Sequence, residues 1–341
     1  MKKIYDLIVS RLEKIDFGML YPKFHCFSFA LYNKDQVLFD GVFYPYDERF
    51  IGNTTIEFNE KQIAIWNMDY SINDIDVFTS KIVHEMFHAF QIEQAESRFP
   101  SEIDGLFYDY NPINLSQKIK ETECLIKAFQ NKSISFIDEF HSRRNKRNTE
   151  FSLEGNYEAG IETIEGTARF VELKTLGILD STLQKKEIDK ILINLSNYRN
   201  YIPIRKVSYD IGALYLLTCD LFNMKLDTNI PENNTPIIIQ HSEKAKSYPE
   251  HVDIIEDVKI MTEEYATINA KKVFDFMKTA SFKIKAKIVG FDPMNTIRSE
   301  EFLLFEHFVR IEVDGKQENI FGTACAKTIK GLSIVDLFIA N

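Results

Sequence analysis

The stretch Val83-His84-Glu85-Met86-Phe87-His88-Ala89-Phe90 contains the pattern His-Glu-x-x-His within an apolar segment. On an α-helix, residues four apart lie on one face, so the imidazoles of His84 and His88 can converge on one point. Two neutral imidazoles suit Zn2+. The carboxylate of Glu85 can reach a water at the metal rather than the metal itself, as a general base requires. The expected number of chance occurrences of this pattern in a chain of this length and composition is roughly 0.02.

The composition of the 341-residue chain is that of a globular protein, with 45% hydrophobic and 27% charged residues. The length is sufficient for a large core. A net charge of −10 disfavours nucleic acid and anionic membranes as main partners, because phosphate binding needs concentrated Lys and Arg. The local exception is Arg143-Arg144-Asn145-Lys146-Arg147, which we interpret as a solvated loop before a helix.

Targeting signals and reactive thiols are not evident in the sequence. No segment approaches about 18 consecutive apolar residues, so no membrane span is predicted. Charged residues interrupt the N-terminal segment where a secretory signal would be apolar. The four cysteines form no Cys-x-x-Cys, which indicates reduced, mostly buried thiols. These features predict a cytoplasmic protein.

The predicted fold class is α+β, in three parts. Residues 1–72 contain an amphipathic helix followed by three runs rich in β-branched and aromatic residues (24–32, 36–44 and 54–68), which predict a mainly antiparallel sheet. Residues 73–279 are mainly helical and carry the motif. Residues 280–341 alternate in polarity and form a small C-terminal β subdomain, with Asp314-Gly315 as a hairpin turn.

A catalytic zinc usually takes three protein ligands, so one more must come from another element. The predicted helix from about Tyr157 to Leu176 is acidic on one side. Its carboxylates Glu158, Glu162 and Glu165 are all candidates for the third ligand. The small residues in this helix permit close approach to another helix; they are Gly160, Gly166 and Ala168.

The segment Glu165-Gly166-Thr167-Ala168 resembles the Glu-Gly-x-Ala that carries the third zinc ligand in gluzincin metallopeptidases of the peptidase MA clan. Together with His-Glu-x-x-His, it makes residues 54–220 similar to that family. The resemblance implies a zincin-like catalytic domain with one zinc per chain. It implies that His84, His88 and Glu165 are the zinc ligands and that Glu85 is the general base.

The chain departs from the family in three respects. Between His88 and Glu165 lie 76 residues, more than in thermolysin-like enzymes, so a helical insertion at 100–150 must loop out and return. The Asp that follows the third ligand in some gluzincins is replaced by Arg169. The Gly-x-Met-x-Asn that anchors the substrate amine in the aminopeptidases of the family is not present.

Other parts of a hydrolytic site have candidates too. The segment Tyr209-Asp210-Ile211-Gly212-Ala213 resembles a Tyr-x-x-Gly-Ala of some gluzincins, which implies that Tyr209 is an oxyanion donor; Arg205 and His241 are weaker candidates. Glu162, Asp210 or Glu172 could orient the histidines. The segment Ile63-Ala64-Ile65-Trp66-Asn67 is either a substrate-binding edge strand or an ordinary core strand.

The sequence thus predicts a zinc-dependent metallohydrolase, most simply a peptidase acting on peptides or proteins. The alternative is a catalytically inactive zincin-fold protein with a binding or regulatory role. The identity of the substrate, endopeptidase or exopeptidase action, and the oligomeric state are left open by the sequence.

Overall fold

The computed structural model describes residues 1–69, 72–230, 234–242, 245 and 252–340, which form an α+β fold as predicted. The helices of these residues are α1 (Lys2–Leu12), α2 (Phe17–Leu20), α3 (Ile75–Glu93), α4 (Glu102–Leu106), α5 (Pro112–Asn131), α6 (Ile134–Glu150), α7 (Ser152–Leu179), α8 (Ser181–Ser196), α9 (Ile204–Leu221) and α10 (Glu256–Met277). The strands are β1 (Phe29–Tyr32), β2 (Gln36–Phe39), β3 (Val42–Pro45), β4 (Thr54–Phe58), β5 (Lys61–Asn67), β6 (Ala280–Phe291), β7 (Thr296–Ser299), β8 (Phe302–Phe305), β9 (Phe308–Val313), β10 (Lys316–Phe321), β11 (Ala324–Lys330) and β12 (Ile334–Ala340).

The chain divides into two compact units. The first comprises the segments Met1–Phe99, Ile119–Thr149 and Glu158–Pro249. The second comprises the segments Pro100–Lys118, Glu150–Tyr157 and Glu250–Asn341. The predicted helical region 73–279 therefore contributes to both units, and its residues 231–233, 243–244 and 246–251 lie outside the described part of the chain.

The first unit contains a five-stranded sheet in the order β3-β2-β1-β5-β4. Neighbouring strands are antiparallel except for β1 and β5, which are parallel, so the predicted mainly antiparallel sheet is confirmed. One face of the sheet buries an apolar cluster; its members are Ala30, Tyr32, Val37, Phe39, Phe50, Phe58, Ile63 and Ile65. α3 packs against β5 and β4, and Trp66 of β5 meets Phe78 of α3 edge-on at 5.4 Å.

The strand β5 lies inside this sheet, between β1 and β4. The interpretation of Ile63–Asn67 as an edge strand is therefore wrong, and the alternative of a core strand is confirmed. Residues 54–68, predicted as one strand-forming segment, turn back at Asn59 and Glu60, which both have positive φ (51° and 61°). This hairpin places β4, not β5, at the edge of the sheet.

The helix α3 begins directly after Asp74. The side chain of Asp74 caps it by accepting hydrogen bonds from the backbone N–H groups of Asp76 (2.8 Å) and Val77 (3.0 Å). Its apolar residues are buried; these include Ile82, Val83, Met86, Phe87, Ala89 and Phe90. A helix held along so much of its surface presents its two motif histidines in one fixed direction.

The second unit contains a seven-stranded antiparallel sheet in the order β10-β9-β6-β12-β11-β8-β7. Alternating residues of its strands face two apolar clusters, one of which includes Leu303 and Phe305. The other joins Leu304 and Cys325 to Val273 of α10. Asp314-Gly315 has positive φ at both residues (51° and 74°) and connects β9 to β10, so the predicted hairpin turn is confirmed.

The predicted solvated basic loop is instead part of α6, so that interpretation is wrong. Arg144 and Arg147 are completely buried. Arg144 donates to Glu121 (Nε–Oε1, 2.6 Å) and to both oxygens of Glu162 (2.5 and 3.0 Å). Arg147 donates to Glu121 (2.9 Å) and to both oxygens of Glu158 (3.0 and 2.6 Å). These five residues form a buried ion cluster that joins α5, α6 and α7.

All four cysteines are free; Cys26 is exposed and the other three are buried, so mostly buried thiols are confirmed. Within the described ranges, no helix combines the length and the apolar composition that a membrane crossing requires.

Candidate metal centre

The two motif histidines meet on one side of α3, as i, i+4 spacing requires, and their side chains are 12% and 18% exposed. The Nε2 atoms of His84 and His88 lie 3.2 Å apart. Glu165, on α7, brings its Oε2 atom to 3.2 Å from Nε2 of His88 and to 3.8 Å from Nε2 of His84. The structure therefore brings together the three residues that the family resemblance named as ligands.

The spacing of these three atoms fits a metal ion. Among the described residues, one group of His, Cys, Asp and Glu side chains has ligand atoms all within 4.8 Å of one another, and it consists of His84, His88 and Glu165. A tetrahedral zinc with bonds of about 2.0–2.1 Å separates its ligand atoms by about 3.3 Å. Two imidazole nitrogens and a carboxylate oxygen at this spacing suit zinc and leave room for a fourth ligand.

The other two candidates for the third ligand serve a different purpose. Glu158 and Glu162 belong to the buried ion cluster, where they accept hydrogen bonds from Arg147 and Arg144. Both carboxylates are fully desolvated and their charge is balanced there by guanidinium groups. Glu165, one turn further along α7 than Glu162, is the carboxylate that reaches the histidines.

The Nδ1 atoms of both histidines also have hydrogen-bond partners. Nδ1 of His84 lies 3.1 Å from Oε2 of Glu172, which selects Glu172 from the three candidates for this contact. Nδ1 of His88 lies 2.7 Å from Oε1 of Gln91, whose Nε2 donates to the carbonyl of Ile164 (3.0 Å). An oxygen acceptor at Nδ1 fixes the tautomer in which Nε2 is free to bind a metal. Sequence reasoning missed Gln91, although its position three residues after His88 on the same helix face is a usable signal.

The charges of the centre depend on one another. Burial lowers the pKa of His84, but the hydrogen bonds to Glu165 and Glu172 outweigh it and raise this pKa to about 10. The pKa of His88 is also raised, because the attraction of Glu165 exceeds the opposing effect of burial. The pKa of Glu165 is held well below its usual value, since both histidines outweigh its burial. Without metal, the imidazole of His84 therefore holds a proton at neutral pH in the place where a cation would bind.

We expect zinc to bind with release of protons and with an affinity that rises with pH. Because the pKa of His84 is about 10 in the metal-free protein, its imidazole is protonated at neutral pH and zinc must displace the proton. Below that pKa, each displaced proton makes the dissociation constant for zinc fall about tenfold per pH unit. Calorimetric titration with zinc at two near-neutral pH values, in two buffers of different ionisation enthalpy, measures both quantities.

Glu172→Gln is the matched variant for this titration. Loss of that carboxylate removes one of the groups that raise the pKa of His84, so fewer protons should be released per zinc bound. Equal zinc affinity at both pH values, with no proton release from the wild type, would contradict the prediction.

The carboxylate of Glu85 is available for proton transfer. No donor within the described part of the chain hydrogen-bonds its side chain, whereas its backbone carbonyl accepts from the hydroxyl of Thr55 on β4 (2.7 Å). Burial raises the pKa of Glu85 and outweighs the opposing effect of His84 and His88. A carboxylate whose pKa is shifted towards neutrality is a more effective general base than an ordinary surface glutamate.

Tyr209 and Arg205 lie on the other side of Glu165, on α9. Nη2 of Arg205 is 3.4 Å from Oε1 of Glu165, and the hydroxyl of Tyr209 interacts electrostatically with both groups. Burial and the charge of Glu165 raise the pKa of Tyr209, so the phenol stays protonated and able to donate. His241, the third candidate donor, instead contacts the hydroxyl of Tyr215 (3.3 Å).

The helices α7 and α9 cross at two glycines, Gly166 and Gly212. A Cβ atom at Gly212 would lie 2.2 Å from the backbone oxygen of Glu162 and 2.8 Å from the Cα atom of Gly166. A Cβ atom at Gly166 would in turn lie 2.6 Å from the Cα atom of Gly212. The close approach to another helix that the small residues of α7 permit is therefore confirmed at Gly166, and it brings Tyr209 beside Glu165.

These contacts define a class of site: two histidines and a glutamate around one point, with a second glutamate beside them. Comparisons of the chain with protein-family models, with curated proteins and with solved structures found no match. The geometry of the site therefore carries the functional proposal.

Proposed function

We propose that the protein is a zinc-dependent metallohydrolase, most simply a peptidase with a gluzincin-like site in a zincin-like domain. His84, His88 and Glu165 would hold one zinc per chain. The observation that carries this proposal is the convergence of their three ligand atoms within 4.8 Å. The neighbouring carboxylate of Glu85, with its raised pKa, favours a hydrolase over a purely structural zinc site.

In the proposed reaction a bound zinc supplies Lewis acidity, which makes water more acidic and an amide carbonyl more electrophilic. Glu85 accepts a proton from the attacking water while the oxygen of that water bonds to the carbonyl carbon. Glu85 then gives that proton to the amide nitrogen as the carbon–nitrogen bond breaks, so the amine leaves neutral. Glu172 and Gln91 hold the two imidazoles in the required tautomers throughout.

The edge strand β4 supports a peptide as the substrate. An extended peptide can add a strand to an exposed sheet edge through backbone hydrogen bonds. β4 is such an edge, and its Thr55 hydroxyl donates to the backbone carbonyl of Glu85. A peptide paired with β4 would therefore run close to the proposed general base.

The metal content of the purified protein tests the proposal. Prepared without chelator, the wild type should contain one zinc per chain. His84→Ala should lose the zinc, whereas Glu85→Gln should keep it and lower turnover of a peptide library by about 10²–10⁴-fold. His25→Ala is the matched control, since this histidine is more than half exposed and pairs only loosely with Glu93 (3.7 Å).

The outcomes separate the proposal from its alternative. A wild type without zinc rules out the metal site. Zinc in the wild type without cleavage of any peptide in the library would instead favour the zincin-fold binding or regulatory protein.

Tyr209→Phe is expected to lower kcat by about 10²–10³-fold while the zinc content stays unchanged. The phenol is proposed to donate a hydrogen bond to the oxyanion of the tetrahedral intermediate, and loss of one such donor has an effect of this size. Tyr201→Phe is the matched control, because its buried hydroxyl donates to the carbonyl of Leu195 (3.0 Å). Unchanged turnover in Tyr209→Phe would remove this role.

A further inference from the structure

Arg169 lies where carboxylates of three helices meet. It donates from Nη1 to Oε1 of Glu172, one turn along α7. It donates from Nη2 to Oε2 of Glu187 on α8 (3.2 Å), and its Nε is 3.9 Å from Oδ1 of Asp210 on α9. The side chains of all four residues are at most 18% exposed, so these interactions are weakly screened by solvent.

The carboxylate of Glu172 connects this arginine to the metal centre. Its Oε1 atom accepts from Arg169, while its Oε2 atom lies 3.1 Å from Nδ1 of His84. A carboxylate held by one partner on each oxygen cannot rotate without losing one of them. The guanidinium itself is held by two more acidic groups, on helices other than its own, and its planar fork makes these contacts directional.

Asp210 gives the same arginine a second connection to the site. It follows Tyr209 in α9, and its Oδ2 atom accepts from the side chain of Asn194 on α8 (2.6 Å). Arg169 therefore touches α8 and α9 while it holds the carboxylate that orients His84. Within this arrangement, Glu172 is the residue that lies within hydrogen-bond distance of a proposed metal ligand, at Nδ1 of His84.

We propose that Arg169 is a positioning residue: acting through Glu172, it fixes the orientation and tautomer of His84 for metal binding. This inference rests on the proposed function, since it concerns the same metal. Residues that hold a metal ligand without touching the metal typically change metal affinity by about 10–100-fold when they are mutated. We expect a loss of that size when the contact between Arg169 and Glu172 is removed.

A double-mutant cycle on zinc affinity tests the inference. Arg169→Gln, Glu172→Gln and the double variant are titrated with zinc in competition with a chromophoric chelator. If Arg169 acts through Glu172, the double variant should bind zinc as weakly as Glu172→Gln alone, because the second change removes nothing further. Lys174→Gln is the matched control on the same helix, since Lys174 makes a solvent-exposed pair with Asp220 (3.5 Å).

The visible absorption spectrum of the Co2+-loaded protein reports on ligand orientation rather than on folding. It should change in Arg169→Gln and Glu172→Gln in the same way, and it should stay unchanged in Lys174→Gln. Arg169→Lys, which retains the charge but cannot hold Glu172 and Glu187 with one planar group, should give an intermediate zinc affinity. Circular dichroism of each metal-free variant establishes that it is folded.

Additive losses of affinity, or a Co2+ spectrum unchanged in Arg169→Gln and Arg169→Lys, would overturn the inference and leave the proposed function standing. A wild type that binds no zinc would overturn both.

Discussion

Arg144→Met is expected to lower the free energy of unfolding by about 3–5 kcal/mol. The guanidinium of Arg144 is completely buried and donates to Glu121 and Glu162, at distances of 2.5–3.0 Å. Methionine fills a similar volume but has no charge, so two buried carboxylates lose a partner while they remain out of water. Chemical denaturation of the metal-free protein, with and without the change, measures the difference.

The neighbouring residue provides the control. Arg143 pairs with Glu139 four residues earlier on α6, where the two side chains are 16% and 29% exposed. Arg143→Met should lower the free energy of unfolding by less than about 1 kcal/mol, as is usual for partly exposed pairs. Equal effects of the two substitutions would show that the buried ion cluster does not contribute as argued.

Gly212→Ala is expected to destabilise the protein by about 1–3 kcal/mol and to weaken zinc binding at least about tenfold. The added Cβ atom would lie 2.2 Å from the backbone oxygen of Glu162. Backbone atoms cannot rotate away, so α7 and α9 must separate. This cost exceeds the gain of about 1 kcal/mol that alanine has over glycine in a helix. Because Glu165 lies in the same turn of α7, its distance from His84 and His88 should change as well.

Gly177→Ala is the matched control for this helix crossing. Gly177 is also in α7, but the atoms that its added Cβ would meet, at 2.5–2.7 Å, are at the end of the flexible side chain of Gln184. That side chain can move, so zinc affinity should not change. The comparison uses denaturation curves and zinc titrations of both variants. If zinc affinity is the same in Gly212→Ala as in the wild type, the crossing does not position Glu165.

Two groups of contacts on successive turns of α7 thus prepare the site. The buried ion cluster holds Glu158 and Glu162 of α7 against α5 and α6. The glycine crossing sets the distance from α7 to α9 next to Glu165. The residues of the candidate metal centre are separated by a long stretch of sequence, and these contacts fix the packing of α7, in which Glu165 lies beside His88.

Several features were predictable because they depend on local rules. The positions of His84, Glu85 and His88 relative to one another follow from helix geometry alone. Asp74 caps α3 and Asp314-Gly315 turns the hairpin through interactions that span only a few residues. For the same reason, runs of β-branched and aromatic residues located the first sheet, and alternating polarity located the second.

The errors arose where a long-range contact decided the outcome. The basic residues of α6 look like a solvated surface in sequence, since a run of like charges usually forms a solvated face. Their partners Glu121, Glu158 and Glu162 come from other helices, so burial became possible only in the folded chain. The place of β5 inside its sheet depends likewise on its parallel pairing with the distant strand β1.

The acidic face of α7 shows where the sequence alone stops. Its residues Glu158, Glu162, Glu165, Arg169 and Glu172 recur at helical spacing and so share one face of the helix. Helix periodicity is enough to predict that the two histidines converge and that a carboxylate from this face could join them. Only the tertiary structure set the arginines of α6 against Glu158 and Glu162, and the histidines of α3 against Glu165 and Glu172. The physical reason is that helix periodicity fixes which residues share a face, whereas the partner of each residue along that face depends on how the helices cross.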